Sequence, residues 1–117
     1  MSPHAILDEP VPRDLIAALA TFNCVVAPFP NEWKGLRNGD LLARVEAESI
    51  SVLITCDRNM RFQHTIGTRP FALVVPPDQR LVRLLAICEQ ISQAIKSAAP
   101  GHVVLLNRTG QFDVLAP

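Results

Sequence analysis

The stretch Ile50-Ser51-Val52-Leu53-Ile54-Thr55-Cys56-Asp57-Arg58-Asn59 constrains the fold more than any other part of the chain. Its first half is a short apolar run rich in β-branched residues, the pattern of a strand buried on both faces. Such strands belong to sheets that carry helices above and below. Its second half halts the run with a carboxylate, a guanidinium and an amide. Ligands of open parallel α/β sheets sit in the crevice beyond the carboxyl ends of the strands. Asp57 therefore stands where chemistry is expected, and the question is which other groups reach the same edge.

The remaining segments alternate in the way a parallel sheet requires. Apolar runs at 4–7, 24–27, 71–75 and 102–106 read as strands, and 111–115 as a short edge strand. Between them, Leu15, Ile16, Leu19 and Phe22 recur at helical spacing over 13–22. A second helix opens at Arg37-Asn38-Gly39-Asp40 and buries Leu41, Leu42, Val45 and Ala47. A long helix over 80–98 carries Leu81, Leu84, Leu85, Cys88, Ile91 and Ile95 on one face, with Gly101 as its stop signal. Residues 31–36 read as a loop or single turn, and 58–65 as a loop or short helix. The expected fold is one three-layer α/β/α domain over 1–117, with a mostly parallel sheet of about five strands.

Composition removes several function classes. With 117 residues there is room for one core and not two. A chain that is 49% hydrophobic and 19% charged is globular rather than disordered. The formal net charge is zero, so no global field draws in nucleic acid and any such binding needs a local patch. No apolar run is long enough to span a membrane, and the opening Met1-Ser2-Pro3-His4 does not read as a secretory signal. Cys24, Cys56 and Cys88 are too far apart for metal-ligand spacing and odd in number, which suggests buried thiols in a reducing cytoplasm.

Asp8 closes the first strand, Asp57 closes the central one, and Asp40 opens the helix between them in sequence. Each alone has a structural explanation, as a turn residue or as a complement to a helix dipole. Together they are more telling. Carboxylates about 5 Å apart repel by roughly 3 kcal/mol at an effective dielectric of about 20. A rim gathering them needs shared protons or a cation, and hard oxygen ligands suit Mg²⁺ or Mn²⁺.

Asp8-Glu9-x-Val11-Pro12, Trp33-x-Gly35-Leu36-x-x-Gly39-Asp40-x-Leu42 and Val52-Leu53-Ile54-Thr55-x-Asp57-Arg58-Asn59 together resemble a family of short bacterial PIN-like proteins. The resemblance runs over nearly the whole chain. It implies a metal-dependent ribonuclease, often the toxin paired with an antitoxin, with RNA as substrate. It further implies Asp8, Asp40 and Asp57 as catalytic metal ligands and Thr55 as a hydroxyl neighbour of the metal waters. Longer PIN nucleases carry a further Glu on a helix; here Glu9 and Glu32 are the candidate substitutes, with no motif behind them for that role. Pro10 stands where the small family has a polar residue.

Other groups are read from the residues themselves. Arg58 and Arg61, with Arg69 and His64, form either a phosphate clamp or a solvated loop. Asn59 is either a partner for ligand waters or a turn residue. Trp33 is a lid, a partner contact or a core residue. Three function classes follow: the nuclease, a non-catalytic PIN-like interaction module, and a receiver-like phospho-acceptor domain centred on Asp57. The apolar surface of the helix over 80–98 would also serve a homodimer.

Overall fold

The computed structural model describes residues 5–60 and 66–117. The strands are β1 (Ala5–Leu7), β2 (Val26–Ala27), β3 (Val52–Ile54), β4 (Ala72–Val75), β5 (Val103–Leu106) and β6 (Phe112–Leu115). The helices are α1 (Leu15–Ala20), α2 (Asn38–Ala47), α3 (Leu81–Ala86) and α4 (Cys88–Ser97), with 3₁₀ turns at Asn31–Trp33 and Ile66–Thr68. The sheet runs β2-β1-β3-β4-β5-β6, parallel except for β6. It is the expected mostly parallel α/β architecture, with the hairpin strand β6 as a sixth member.

The two-sided burial of the strands follows from the pleat, which points successive side chains to opposite faces. Ala5 and Leu7, Val52 and Ile54, Val74, and Val104 and Leu106 join one cluster with Leu15 and Leu19 of α1 and Leu84, Ile91 and Ile95 of α3 and α4. Ile6, Leu53, Leu73, Val75 and Val103 join the other, with Leu41, Leu42 and Val45 of α2, Trp33 and Phe71. Phe71, fully buried just before β4, is among the largest side chains of the core. The described helices therefore form two layers about the sheet.

Two helix ends show how the chain is delivered to its strands. After α1, Asn23 takes φ 64°, and the Cys24 N–H reaches back to the Leu19 carbonyl at 3.1 Å. This closes the helix in a Schellman turn, with Asn supplying the left-handed residue. Cys24 thus belongs to the helix end rather than to a strand over 24–27, and only Val26 and Ala27 pair with β1. Ser49 repeats the device after α2 at φ 57°, with the Ile50 N–H bonded to the Val45 carbonyl at 3.2 Å.

The helix expected over 80–98 is two helices. Ile87 leaves the helical basin at φ −114°, ψ 21°. Leu84, Ile87, Cys88 and Ile91 are all buried, so the apolar face stays in phase across the break. Periodicity cannot reveal such a kink. α3 and α4 also lie on the same face as α1, although β1 to β2 and β4 to β5 step across the sheet in opposite directions. The second crossover therefore has the opposite hand to the first, an exception to a strong rule. It leaves the other face of β5 without a helix from that connection, and Leu105 is only partly buried there.

Candidate functional site

β1 and β3 are neighbours, while β2 lies on the far side of β1. The chain reverses its direction of travel across the sheet between them, so the crevice beyond their carboxyl ends is the topological switch point where α/β sheets bind ligands. Asp8 and Asp57 both open onto it.

The local sequence fixes each acid. The Asp8 N–H continues the parallel ladder to the Ile54 carbonyl at 2.8 Å, and the Val11 N–H then turns back to the Asp8 carbonyl at 3.1 Å. Pro10 and Pro12 lack an N–H and carry the chain away from the edge. On the neighbouring strand, side chains fold back on the backbone two residues ahead. The Asp57 N–H donates to Thr55 Oγ1 at 3.1 Å, and the Asn59 N–H donates to Asp57 Oδ1 at 2.9 Å. Thr55 and Asp57, two positions apart, build this nested turn because each carries a short side-chain oxygen.

Thr55 ties the two strands together. Its hydroxyl is fully buried and donates to Asp8 Oδ2 at 2.8 Å while accepting from the Asp57 N–H. The other Asp8 oxygen accepts from the Glu9 N–H at 2.8 Å, and Asp57 Oδ2 accepts a long bond from Asn38 Nδ2 at 3.4 Å. A carboxylate offers about four lone-pair sites, so acceptor capacity remains on both acids. Among the described residues neither acid has an ion-pair partner; the two ion pairs join Arg69 to Glu46 and Arg83 to Asp78.

The acids face a cleft of about 230 Å³ whose wall is shared by Glu9, Pro10, Phe29, Trp33, Asn38 and Leu41. Trp33 is buried in the core and meets Phe29 edge-on, with ring centroids 6.2 Å apart at 89°. It is neither lid nor exposed contact, but the cleft floor.

Asp40, expected on this rim, is exposed and does not line the cleft. It occupies the first turn of α2, where a carboxylate complements the helix dipole. Asn38 stands in its place. Positions 38, 41, 42 and 45 share one helix face, and a residue two positions on from 38 points elsewhere. That spacing was the signal for Asn38.

Glu9 lines the cleft, whereas Asn59 contributes its backbone N–H to Asp57. Arg58 points away from the cleft and donates from Nη2 to the Leu106 carbonyl at 3.3 Å. Arg69 is drawn to Glu46 at 3.4 Å rather than into a phosphate clamp. Arg61 and His64 lie outside the described residues.

Cys56, between Thr55 and Asp57, donates its thiol to the Asp78 carbonyl at 3.2 Å. Burial pushes this thiol up to about 11, the Asp78 and Asp8 carboxylates add to the rise, and Arg58 opposes it. Burial likewise raises Cys24 and Cys88. All three are free thiols.

Among the described residues, no group of three or more His, Cys, Asp or Glu is placed to hold a metal ion. The donor set of Asp8 and Asp57 nevertheless fits a hard cation. Mg²⁺ retains several waters and is commonly held by one or two carboxylates plus substrate phosphate oxygens. No helix of the described residues is long and apolar enough to cross a membrane. No family model, curated protein or solved structure matches the chain.

Proposed function

We propose that this chain is a PIN-like ribonuclease dependent on Mg²⁺ or Mn²⁺, with Asp8 and Asp57 as its metal-holding carboxylates. The observation that carries the reading is a pair of carboxylates with no cationic partner among the described residues, joined through one buried hydroxyl at the switch point of the sheet. A divalent ion held there would supply an activated water and charge stabilisation at the phosphorus. The protein's own contribution is positional. Thr55 fixes the orientation of Asp8 and the backbone of Asp57, and the Asn59 and Glu9 N–H groups hold one oxygen of each acid. Glu9 lines the same cleft. The apolar wall of Phe29 and Leu41 offers a surface for a base beside the reacting phosphate.

The test is cleavage of end-labelled RNA with Mn²⁺ or with EDTA, together with Mn²⁺ binding by calorimetry. Asp8→Asn and Asp57→Asn should each lower cleavage by about 100-fold or more, at the upper end of what support of a metal site is worth. Asp40→Asn should leave it within a few fold, because Asp40 lies outside the cleft. Mn²⁺ binding with no cleavage of any RNA assigns the chain to the non-catalytic interaction module. The strand order β2-β1-β3-β4-β5 favours a second reading, since receiver domains share it. In that reading acetyl phosphate would modify Asp57. The turn after β4 is Pro76-Pro77 and offers no hydroxyl, and Asn107-Arg108 follows β5 where a receiver needs Lys.

A further inference from the structure

A second opening, of about 250 Å³, lies at the carboxyl end of β5 and the amino end of its antiparallel neighbour β6. Its wall includes Arg58, Leu105, Gln111 and Asp113. Leu105 and Asp113 are register partners and share a face. That face is the one left without a helix by the reversed crossover. Arg58 connects the two openings: its predecessor Asp57 lines the first, and its own guanidinium lines the second.

The chemistry of this opening is mixed. Arg58 spends one donor on the Leu106 carbonyl, leaving its other N–H groups for a ligand. The Asp113 carboxylate has no hydrogen bond or ion pair with any described residue, the backbone alone pairing with Leu105. Gln111 receives only a 3.5 Å contact from Asn107 Nδ2. The Asn107 oxygen is already consumed by the Thr109 hydroxyl and the N–H groups of Thr109 and Gln111, so Asn107 builds the hairpin rather than the site. A simple anion would be repelled by Asp113. A nucleotide whose base carries an exocyclic amino group satisfies all three free groups: amino hydrogens to Asp113, base edge to Gln111, phosphate to Arg58.

We propose that this opening is a second nucleotide subsite, which extends the ribonuclease reading from a cleavage cleft to a single-stranded track along the carboxyl edge of the sheet. Three strand spacings of about 4.8 Å separate the two sites, roughly 14 Å. At about 3.4 Å per stacked nucleotide, the subsite holds a base about four positions from the reacting phosphate. Cytosine is favoured over uracil there, because uracil presents no amino group to Asp113.

The experiment is fluorescence anisotropy with labelled hexacytidylate and hexauridylate in EDTA. Chelation leaves the Asp8 and Asp57 carboxylates repelling phosphate, so binding reports the second opening. The wild-type protein should prefer hexacytidylate by at least about fivefold, the lower bound for one good base contact. Asp113→Asn, at an exposed position, should abolish the preference. Arg58→Ala should weaken both oligonucleotides alike and reduce the salt slope by about one. Equal binding of the two oligomers, no binding of either, or a preference untouched by Asp113→Asn would overturn the subsite. A preserved cytosine preference in a protein that cleaves nothing would overturn the nuclease reading alone.

Discussion

Replacing Thr55 by Val tests the structural logic of the site most directly. Val matches Thr in shape, so the fully buried position keeps its packing and loses only the hydroxyl. Two interactions go with it: a bond to the Asp8 carboxylate at 2.8 Å and one from the Asp57 N–H at 3.1 Å. A hydrogen bond to a charged group is worth about 1.5–3 kcal/mol and a neutral one about 0.5–1.5 kcal/mol. Burying a methyl in place of the hydroxyl offsets part of that, leaving a destabilisation of about 2–3 kcal/mol. At about 2.1 cal/mol/K per residue, a chain of this length unfolds with an entropy of about 0.25 kcal/mol/K. The expected fall in Tm is therefore about 8–12 °C. Thermal denaturation followed by circular dichroism reads it, with Thr55→Ser as the control that restores the hydroxyl. A Val variant melting within about 2 °C of wild type, a shift worth roughly 0.5 kcal/mol, would refute the claim that this hydroxyl joins the two strands.

Three further outcomes follow from other residues. With its thiol pushed up to about 11, Cys56 should react with a thiolate-selective reagent at pH 8 about 100-fold more slowly than a thiol with the usual value of 9.0. Labelling of the native protein at the free-thiol rate would contradict the burial. The unfolded chain releases this proton near pH 9 and the folded one near 11, so stability should fall as pH rises through that window, as urea titrations at pH 8 and 10.5 would show. Gly101 and Gly110 both sit at positive φ, 81° and 88°, where any side chain costs about 1–2 kcal/mol. A Cβ at Gly101 would lie 2.7 Å from the Gly67 carbonyl oxygen, whereas at Gly110 it would meet the side chain of Gln90 at the same distance. Because backbone yields less than a side chain, Gly101→Ala should be the more damaging of the two by chemical denaturation, and the reverse order would count against this packing.

Much of the fold is legible in the sequence because the strands are buried on both faces. Runs such as Val52-Leu53-Ile54 and Ala72-Leu73-Val74-Val75 leave few alternatives to a covered parallel sheet. Asp8, Thr55 and Asp57 were legible for the same reason, since each stands where an apolar run stops. Asp40 departs from its expected place because charge type carries no information on helix phase. Helix phase points Asn38, not Asp40, toward the cleft. The break at Ile87 escaped because both halves keep one apolar stripe. The opening beside β6 could not be seen at all: it depends on which face the β4 to β5 connection takes, and no local pattern in 76–102 encodes that choice.

The hydroxyl between the first and third strands has a consequence for how the protein fails. The bond that aims the acids also belongs to the seam between β1 and β3 in the interior of the sheet, buried as deeply as the aliphatic core. The centre therefore cannot loosen ahead of the rest, as an enzyme's mobile loops commonly do. Whatever capacity it has for binding or turnover should vanish in the same cooperative step as the secondary structure, with no warm, folded and inert intermediate before it.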